Sequence, residues 1–261
     1  MSKSLRKFKP LNVILGVTFA FLYIPIFTLI AMSFNGSHSP FIFKGFSFKW
    51  YSVLIHDAQV IHGLINTLIV ATGSTVLSTV LGTMLAVGLH RYSKSAALNA
   101  FSLAPAIVPD IVLGIGLLAL YALLSVSLGL YSVLFAHVVF SMAFVTAVVK
   151  ARLANTDGDL REASMDLGAT RTGTFIRITL PSIAPAILAG ALLSFTLSLD
   201  EFVIAFFTNG PTTPTLPIVI YSMVRFGVTP EINALATLLM IVSVTTVIIA
   251  QRMTRQRAKV R

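Results

Sequence analysis

Apolar residues fall in blocks along this chain, each long enough to cross the roughly 30 Å hydrocarbon core of a bilayer. The blocks lie near Leu11 to Phe34, Ile61 to Leu89, Phe101 to Leu124, Leu130 to Val149, Pro185 to Phe207 and Ile232 to Ala250. Such blocks predict membrane-spanning helices, because a helix satisfies its own backbone hydrogen bonds where no water is present. The first has a loose cleavage pattern at Ala31-Met32-Ser33, yet its apolar run exceeds that of a secretory leader and it is read as a retained helix. The second exceeds a minimal span, which predicts tilt or a projecting end. The expected fold is therefore an all-α membrane protein with six transmembrane helices.

Composition agrees with the pattern. Only 11% of the 261 residues are charged, 56% are hydrophobic and the mean hydropathy is +0.90, whereas a soluble domain carries about a quarter charged residues. The absence of cysteine excludes a disulfide framework, a thiolate metal site and a cysteine nucleophile. The net charge of +10 does not point to nucleic acid, because the basic residues flank the apolar runs. They obey the positive-inside rule instead. With both termini cytoplasmic, 16 of the 19 basic residues fall inside and only Lys44, Lys49 and Arg225 outside. No segment is long enough for a soluble catalytic domain.

The connection from Lys150 to about Ala184 carries structure of its own. Asp159-Leu160-Arg161-Glu162 has the form of a capping box, predicting a short helix that Asp159 caps and that runs through Ala163, Met165 and Leu167. Gly168 suits the left-handed turn that ends a helix. A second short helix is expected from Thr170 through Phe175, Ile176 and Ile178, with Pro181 preventing continuation. The result would be a helical hairpin beneath the membrane, either gripped by a partner or lying on the bilayer surface. Gly168 to Thr174 brushes against the phosphate-loop pattern, but Thr174 stands where that pattern needs Lys, so no nucleotide site is expected.

The run Glu162-Ala163-Ser164-Met165-Asp166-Leu167-Gly168-Ala169, followed by Phe175, Ile178, Leu180-Pro181 and Pro185, resembles the EAA loop of ATP-binding-cassette import permeases. Ser164 departs from that pattern's usual Ala, a change between two small residues. The resemblance extends over nearly the whole chain and narrows to the spermidine/putrescine-type permeases. Its carriers include Leu22-Tyr23-Ile24-Pro25, Pro109-Asp110-Ile111-Val112, Ser194 to Glu201, Ile220 to Val224, Gly227-Val228 and Pro230 to Ala234. Permeases for other amines, amino-acid derivatives and opines share much of it.

That resemblance implies a type I importer permease in a bacterial inner membrane. It implies a tail, first span and external segment over residues 1–60, a transmembrane domain over 61–250 with a coupling loop at 150–184, and a basic cytoplasmic tail at 251–261. It implies an ATPase-coupling surface at Arg161, Glu162, Ala163, Asp166, Leu167, Gly168, Ala169, Thr170 and Pro181. The implied partners are an ATPase dimer, a second permease, an extracytoplasmic solute-binding protein and membrane lipid. ATP and Mg would sit on the ATPase, so this chain is expected to be non-catalytic, without metal or cofactor. A secondary transporter or channel needing no ATPase is the rival reading, and an intramembrane enzyme finds no Ser/His/Asp or metal-ligand arrangement to support it.

Asp110, Asp200 and Glu201 are the carboxylates placed well inside predicted spans, where burial is costly unless compensated. At about 1.5 Å per residue, Asp110 would lie about 15 Å from the cytoplasmic end of its helix and Asp200 about 24 Å from the end of its own. Negative charge there suits a cationic cargo; hydrogen bonding within the bundle is the alternative. Ala186, Gly190, Ser194 and Ser198 recur every four residues, a small-residue stripe for close packing. His137 reads as a hydrogen-bonded packing residue, Met142 and Met240 as core filler. Trp50 and Tyr51, beside the aromatic stretch Phe41 to Phe48, read as an interfacial belt, with contact to a binding protein as the alternative. The external loop Gly210-Pro211-Thr212-Thr213-Pro214 either touches a delivery protein or turns the chain.

Overall fold

Helix follows helix through the computed structural model, which describes residues 9–39, 42–93, 95–156, 158–227 and 229–259. Phe41 and Val228, named above, lie outside them, as do five of the basic residues assigned to the inside, Lys3, Arg6, Lys7, Lys94 and Arg261. In order the helices are α1 (Lys9–Ser33), α2 (Lys49–Leu54), α3 (Ala58–Tyr92), α4 (Ala96–Ile107), α5 (Asp110–Leu123), α6 (Leu130–Ala154), α7 (Gly158–Asp166), α8 (Arg171–Thr174), α9 (Leu180–Asp200), α10 (Val203–Thr208), α11 (Leu216–Arg225) and α12 (Pro230–Lys259). A π-helical turn, Phe175–Thr179, joins α8 to α9. By length and hydropathy, α1, α3, α6 and the continuous run Arg171–Asp200 can each cross a membrane. The pair α4 and α5 makes a fifth candidate, and α12 opens on a shorter apolar run, Pro230–Thr245.

The chain divides into two units. One holds the residues up to Ala58 together with Ile220–Val242. Within it, Ser33 is the one buried side chain of α1 among those described, and the Thr18 and Thr28 hydroxyls donate to Ile14 O and Ile24 O one turn back. The segment after α1 is organised by Asn35, itself fully buried. Its Nδ2 donates to Ser39 O and Ile42 O at 3.0 and 2.8 Å, while its Oδ1 accepts from the backbone of Ser37 and Lys44. Trp50 is 5% exposed and donates its indole N–H to Asn35 O at 2.7 Å. It is therefore a packed anchor of this segment and not the interfacial belt expected from its neighbours: a buried indole needs an acceptor, and the turn at Asn35 supplies one.

The second unit holds Gln59–Val219 and the residues from Ser243 onward. Its centre is α6, apolar all round, with buried residues on every face. One cluster joins Ala86 of α3, Val145, Val149 and Leu153 of α6, and Ile183 of α9. A second joins Leu117 and Tyr121 of α5 to Ala136 and Phe140 of α6 and Ile204 of α10. The small-residue stripe makes the α9 packing possible: Gly190 lies against Val145, and Ser78 and Ser74 of α3 meet Ser194 and Ser198 of α9 at 2.9 and 3.1 Å. The loop 210–214 is tied to α3, with Asn66 Nδ2 donating to Pro214 O at 3.0 Å.

Three expectations about where helices continue need correction. The block Phe101 to Leu124 is not one helix. α4 and α5 meet at Val108-Pro109 with a bend of 104°, because Pro109 has no N–H to continue α4 and disfavours helical geometry in the residue before it. The block Pro185 to Phe207 breaks as well, at Glu201-Phe202, with α10 beginning anew. Pro181 does not stop the second arm of the loop. The π-turn shifts the hydrogen-bond register, so that Pro181 falls in the first turn of α9, where a missing N–H costs no intrahelical bond.

Candidate functional site

The loop after α6 closes as a capped tip. α7 begins at Gly158, so Asp159 lies in its first turn rather than at the cap position expected for it. An acid there still faces the positive end of the helix dipole. At the other end Gly168 has φ +86°, its N–H donates to Met165 O at 2.9 Å, and the N–H of Ala169 reaches Ser164 O at 3.1 Å. These two bonds are the Schellman closure that a left-handed residue permits. Thr170 then caps α8, its Oγ1 accepting from Gly173 N at 3.1 Å.

The surface of this tip is Glu162, Ala163, Asp166, Leu167, Gly168, Ala169 and Thr170, all exposed, with Arg161 half-buried beside them. Leu167 is 89% exposed. Glu162 Oε1 approaches Arg161 Nη2 at 3.8 Å, a loose exposed pair. The loop is held by contacts that the sequence did not announce. Ser164 Oγ lies 3.1 Å from Thr174 Oγ1, joining the two arms. Arg91 crosses from the last turn of α3, donating to Thr179 Oγ1 at 2.8 Å and stacking on Phe175 at 5.3 Å from the ring centre. A cation at the end of a long span was the available signal for Arg91; the Ser164 contact had none beyond its departure from Ala.

The carboxylates form the second constellation. Asp110 is the first residue of α5, Asp200 the last of α9, and Glu201 follows it at the break. The sequence placed Asp110 at a different depth from the other two on the assumption of a straight helix. The 104° bend breaks that helix: α5 starts at Asp110, and Gly114 one turn on lies against Ile204 and Phe207 of α10, the helix that follows Glu201. Close packing of α5 on α10 brings them together, since a Cβ on Gly114 would stand 2.9 Å from Phe207. Asp110 and Asp200 are exposed on this chain, and Glu201 is half-buried. Glu201 Oε1 accepts from Ile204 N at 2.8 Å, so it also caps the first turn of α10.

Behind this break lies a buried polar relay. His137 is 1% exposed, and its Nδ1 lies 2.7 Å from Ser198 Oγ, two residues before Asp200. Ser198 in turn meets Ser74. His137 thus takes the hydrogen-bonded packing role its sequence position suggested.

Comparison with known proteins gives the same architecture. The chain is 41% identical over 243 residues to the spermidine/putrescine transport system permease protein PotC of Escherichia coli (strain K12), covering 92% of each chain. It is 42% identical over 237 residues to the putrescine transport system permease protein PotI of the same organism, covering 87% of this chain and 84% of that one. Among solved structures, a bacterial alginate ABC transporter in complex with an alginate pentasaccharide-bound periplasmic protein matches with TM-score 0.73 at 21% identity, over 97% of this chain and 96% of the other. The MetNI methionine ABC transporter, in an inward-facing conformation, matches with TM-score 0.63 at 18% identity, over 80% of this chain and 98% of the other. The fold is that of ABC importer permeases. The family described as binding-protein-dependent transport system inner membrane component matches residues 78–260, and the chain belongs to it.

Proposed function

We propose that the chain is a pore-forming permease subunit of an ATP-driven polyamine importer, and that the tip at Arg161 to Thr170, with Pro181 at its exit, is where a separate ATPase grips it. The observation that carries this reading is Leu167, a large apolar side chain held 89% exposed on a loop locked by a Schellman closure. A rigid apolar knob ringed by polar groups is the chemistry of a docking contact. The chain works with an ATPase dimer, which supplies ATP and Mg chemistry, with a second permease and with an extracytoplasmic solute-binding protein. It is a multi-pass inner-membrane protein whose two termini face the cytoplasm, with the coupling loop at 150–184 on that side. Its bias of basic residues and the names of its relatives support this.

In this reading Asp110, Asp200 and Glu201 present negative charge to a cationic cargo, spermidine or putrescine before other amines. Their convergence at two helix breaks supports it, since irregular backbone inside a membrane protein is tolerated where it lines a cavity. The cap that Glu201 makes to Ile204 favours a structural share for that residue.

Two experiments test the proposal. Leu167→Asp should weaken association with the ATPase about a hundredfold, measured by co-purification from membranes, while membrane insertion is kept. Undiminished ATPase binding and uptake would leave the rival of an ATPase-independent transporter standing. Asp200→Asn should lower polyamine uptake about tenfold or more with ATPase association intact, read as solute flux and stimulated hydrolysis in proteoliposomes. Uptake at normal affinity and rate would remove Asp200 from the cargo path.

A further inference from the structure

Between the last turn of α3 and the coupling loop lie two adjoining cavities of about 180 and 300 Å³. Arg91 and Arg161 border both; His90 borders the smaller and Arg171 the larger. Among the described residues that line them there is no carboxylate. Glu162 approaches Arg161 at 3.8 Å and is exposed, so in water it neutralises little. Three fixed positive charges around one recess repel each other unless an anion joins them.

Arg91 is preorganised for that anion. One of its five N–H donors goes to Thr179 Oγ1, and its guanidinium carbon lies over the Phe175 ring, 5.3 Å from the centre, so two contacts hold the group in place. A guanidinium fork held in this way matches two oxygens of a phosphate. The recess also lies at a helix end. It is reached at the end of the 35-residue α3, whose last residues are His90, Arg91 and Tyr92, with Tyr92 78% exposed. Arg and Tyr at the end of a span are the residues that meet lipid head groups.

We propose that Arg91, Arg161 and Arg171 bind the phosphate of an anionic phospholipid head group between α3 and the coupling loop. The site belongs to the lipid-facing chemistry of this chain and stands apart from the cargo path. The lipid bridges a span and the loop, in the manner of basic pockets between helices at a membrane surface.

The test uses the assembled transporter in nanodiscs of mixed phosphatidylglycerol and phosphatidylcholine, then transferred to detergent, with lipid retained on this chain counted by native mass spectrometry. The wild type is expected to keep phosphatidylglycerol in preference to phosphatidylcholine. Arg171→Gln, at an exposed position, and Arg91→Gln should each reduce that retention about tenfold. Arg171→Gln keeps the test open if the half-packed Arg91 variant fails to fold. Equal retention of the two lipids, or unchanged phosphatidylglycerol in Arg171→Gln and Arg91→Gln, overturns the proposal. So does displacement of the retained lipid by millimolar inorganic phosphate, which would make this a free-phosphate site. Loss of ATPase association with lipid retention unaltered would assign the recess to a partner's carboxylate and overturn it too. Because the readout is bound lipid, failure here leaves the importer reading untouched.

Discussion

Helices α1 and α6 are each 25 residues long, and their spans have nearly equal mean hydropathy, 2.4 and 2.2. In the most apolar stretch of α1 no residue is buried within the chain, while in that of α6 61% are. Hydropathy reports the ease of entering lipid and is silent about the neighbour. The difference lies in what each helix does with its polar atoms. In α1 the threonine hydroxyls return to their own backbone, and Ser33 in the last turn reaches another helix, 2.7 Å from the Tyr51 hydroxyl. In α6 they reach outward: His137 to Ser198, Ser132 to Thr208 O, and Thr146 toward Gly82 O at 3.3 Å. Lipid tails are as apolar as leucine, so helices in a membrane associate through close packing and such bonds rather than by escaping water.

The sharpest way to break this contrast is to add bulk to glycines on the two sides. A Cβ on Gly82 would meet Met142 O and the Val145 side chain at 2.9 Å, whereas one on Gly16 of α1 meets nothing within 4 Å. Gly82→Val should cost about 1–3 kcal/mol by overpacking. Gly16→Val should stay within about 0.5 kcal/mol. Thermal unfolding in detergent measures both, and equal losses would show that α3 and α6 are not locked together there. A smaller effect sharpens the same contrast. A double-mutant cycle on Ser78→Ala and Ser194→Ala should return a coupling of about 0.6 kcal/mol. Thr28→Val on α1 should leave stability unchanged, because its bond closes within one turn. A coupling of zero at Ser78–Ser194 would reduce that contact to proximity.

The sequence disclosed those features whose cause is local. Gly168 was legible because a helix ending in a left-handed residue selects glycine, and Thr170 because caps select hydroxyls. The Ser194 and Ser198 stripe was legible from its four-residue period. What escaped depended on a partner distant in sequence or on the outcome of a local contest. Pro109 and Pro181 look alike on paper, yet one breaks its helix and the other is absorbed by a π-turn. The clustering of Asp110 with Glu201 follows from the Pro109 bend and from Gly114 admitting α10, neither visible as a pattern along the chain. Trp50 misled because an indole suits a membrane surface and a buried carbonyl equally well, and Asn35 decided between them.

The run from Arg171 to Asp200 is one uninterrupted rod, about 45 Å long at 1.5 Å per residue. The wide turn at Phe175–Thr179 lets it pass Pro181 without stopping. Its two tips are consequently phase-locked: with each residue turning the screw about 100°, losing a single position between Thr174 and Leu180 would swing Asp200 and Glu201 to a different side of the axis while Gly168 stayed put. Insertions and deletions, harmless in an ordinary loop, are thereby forbidden along this stretch, and its length is as much a specified property as its residues.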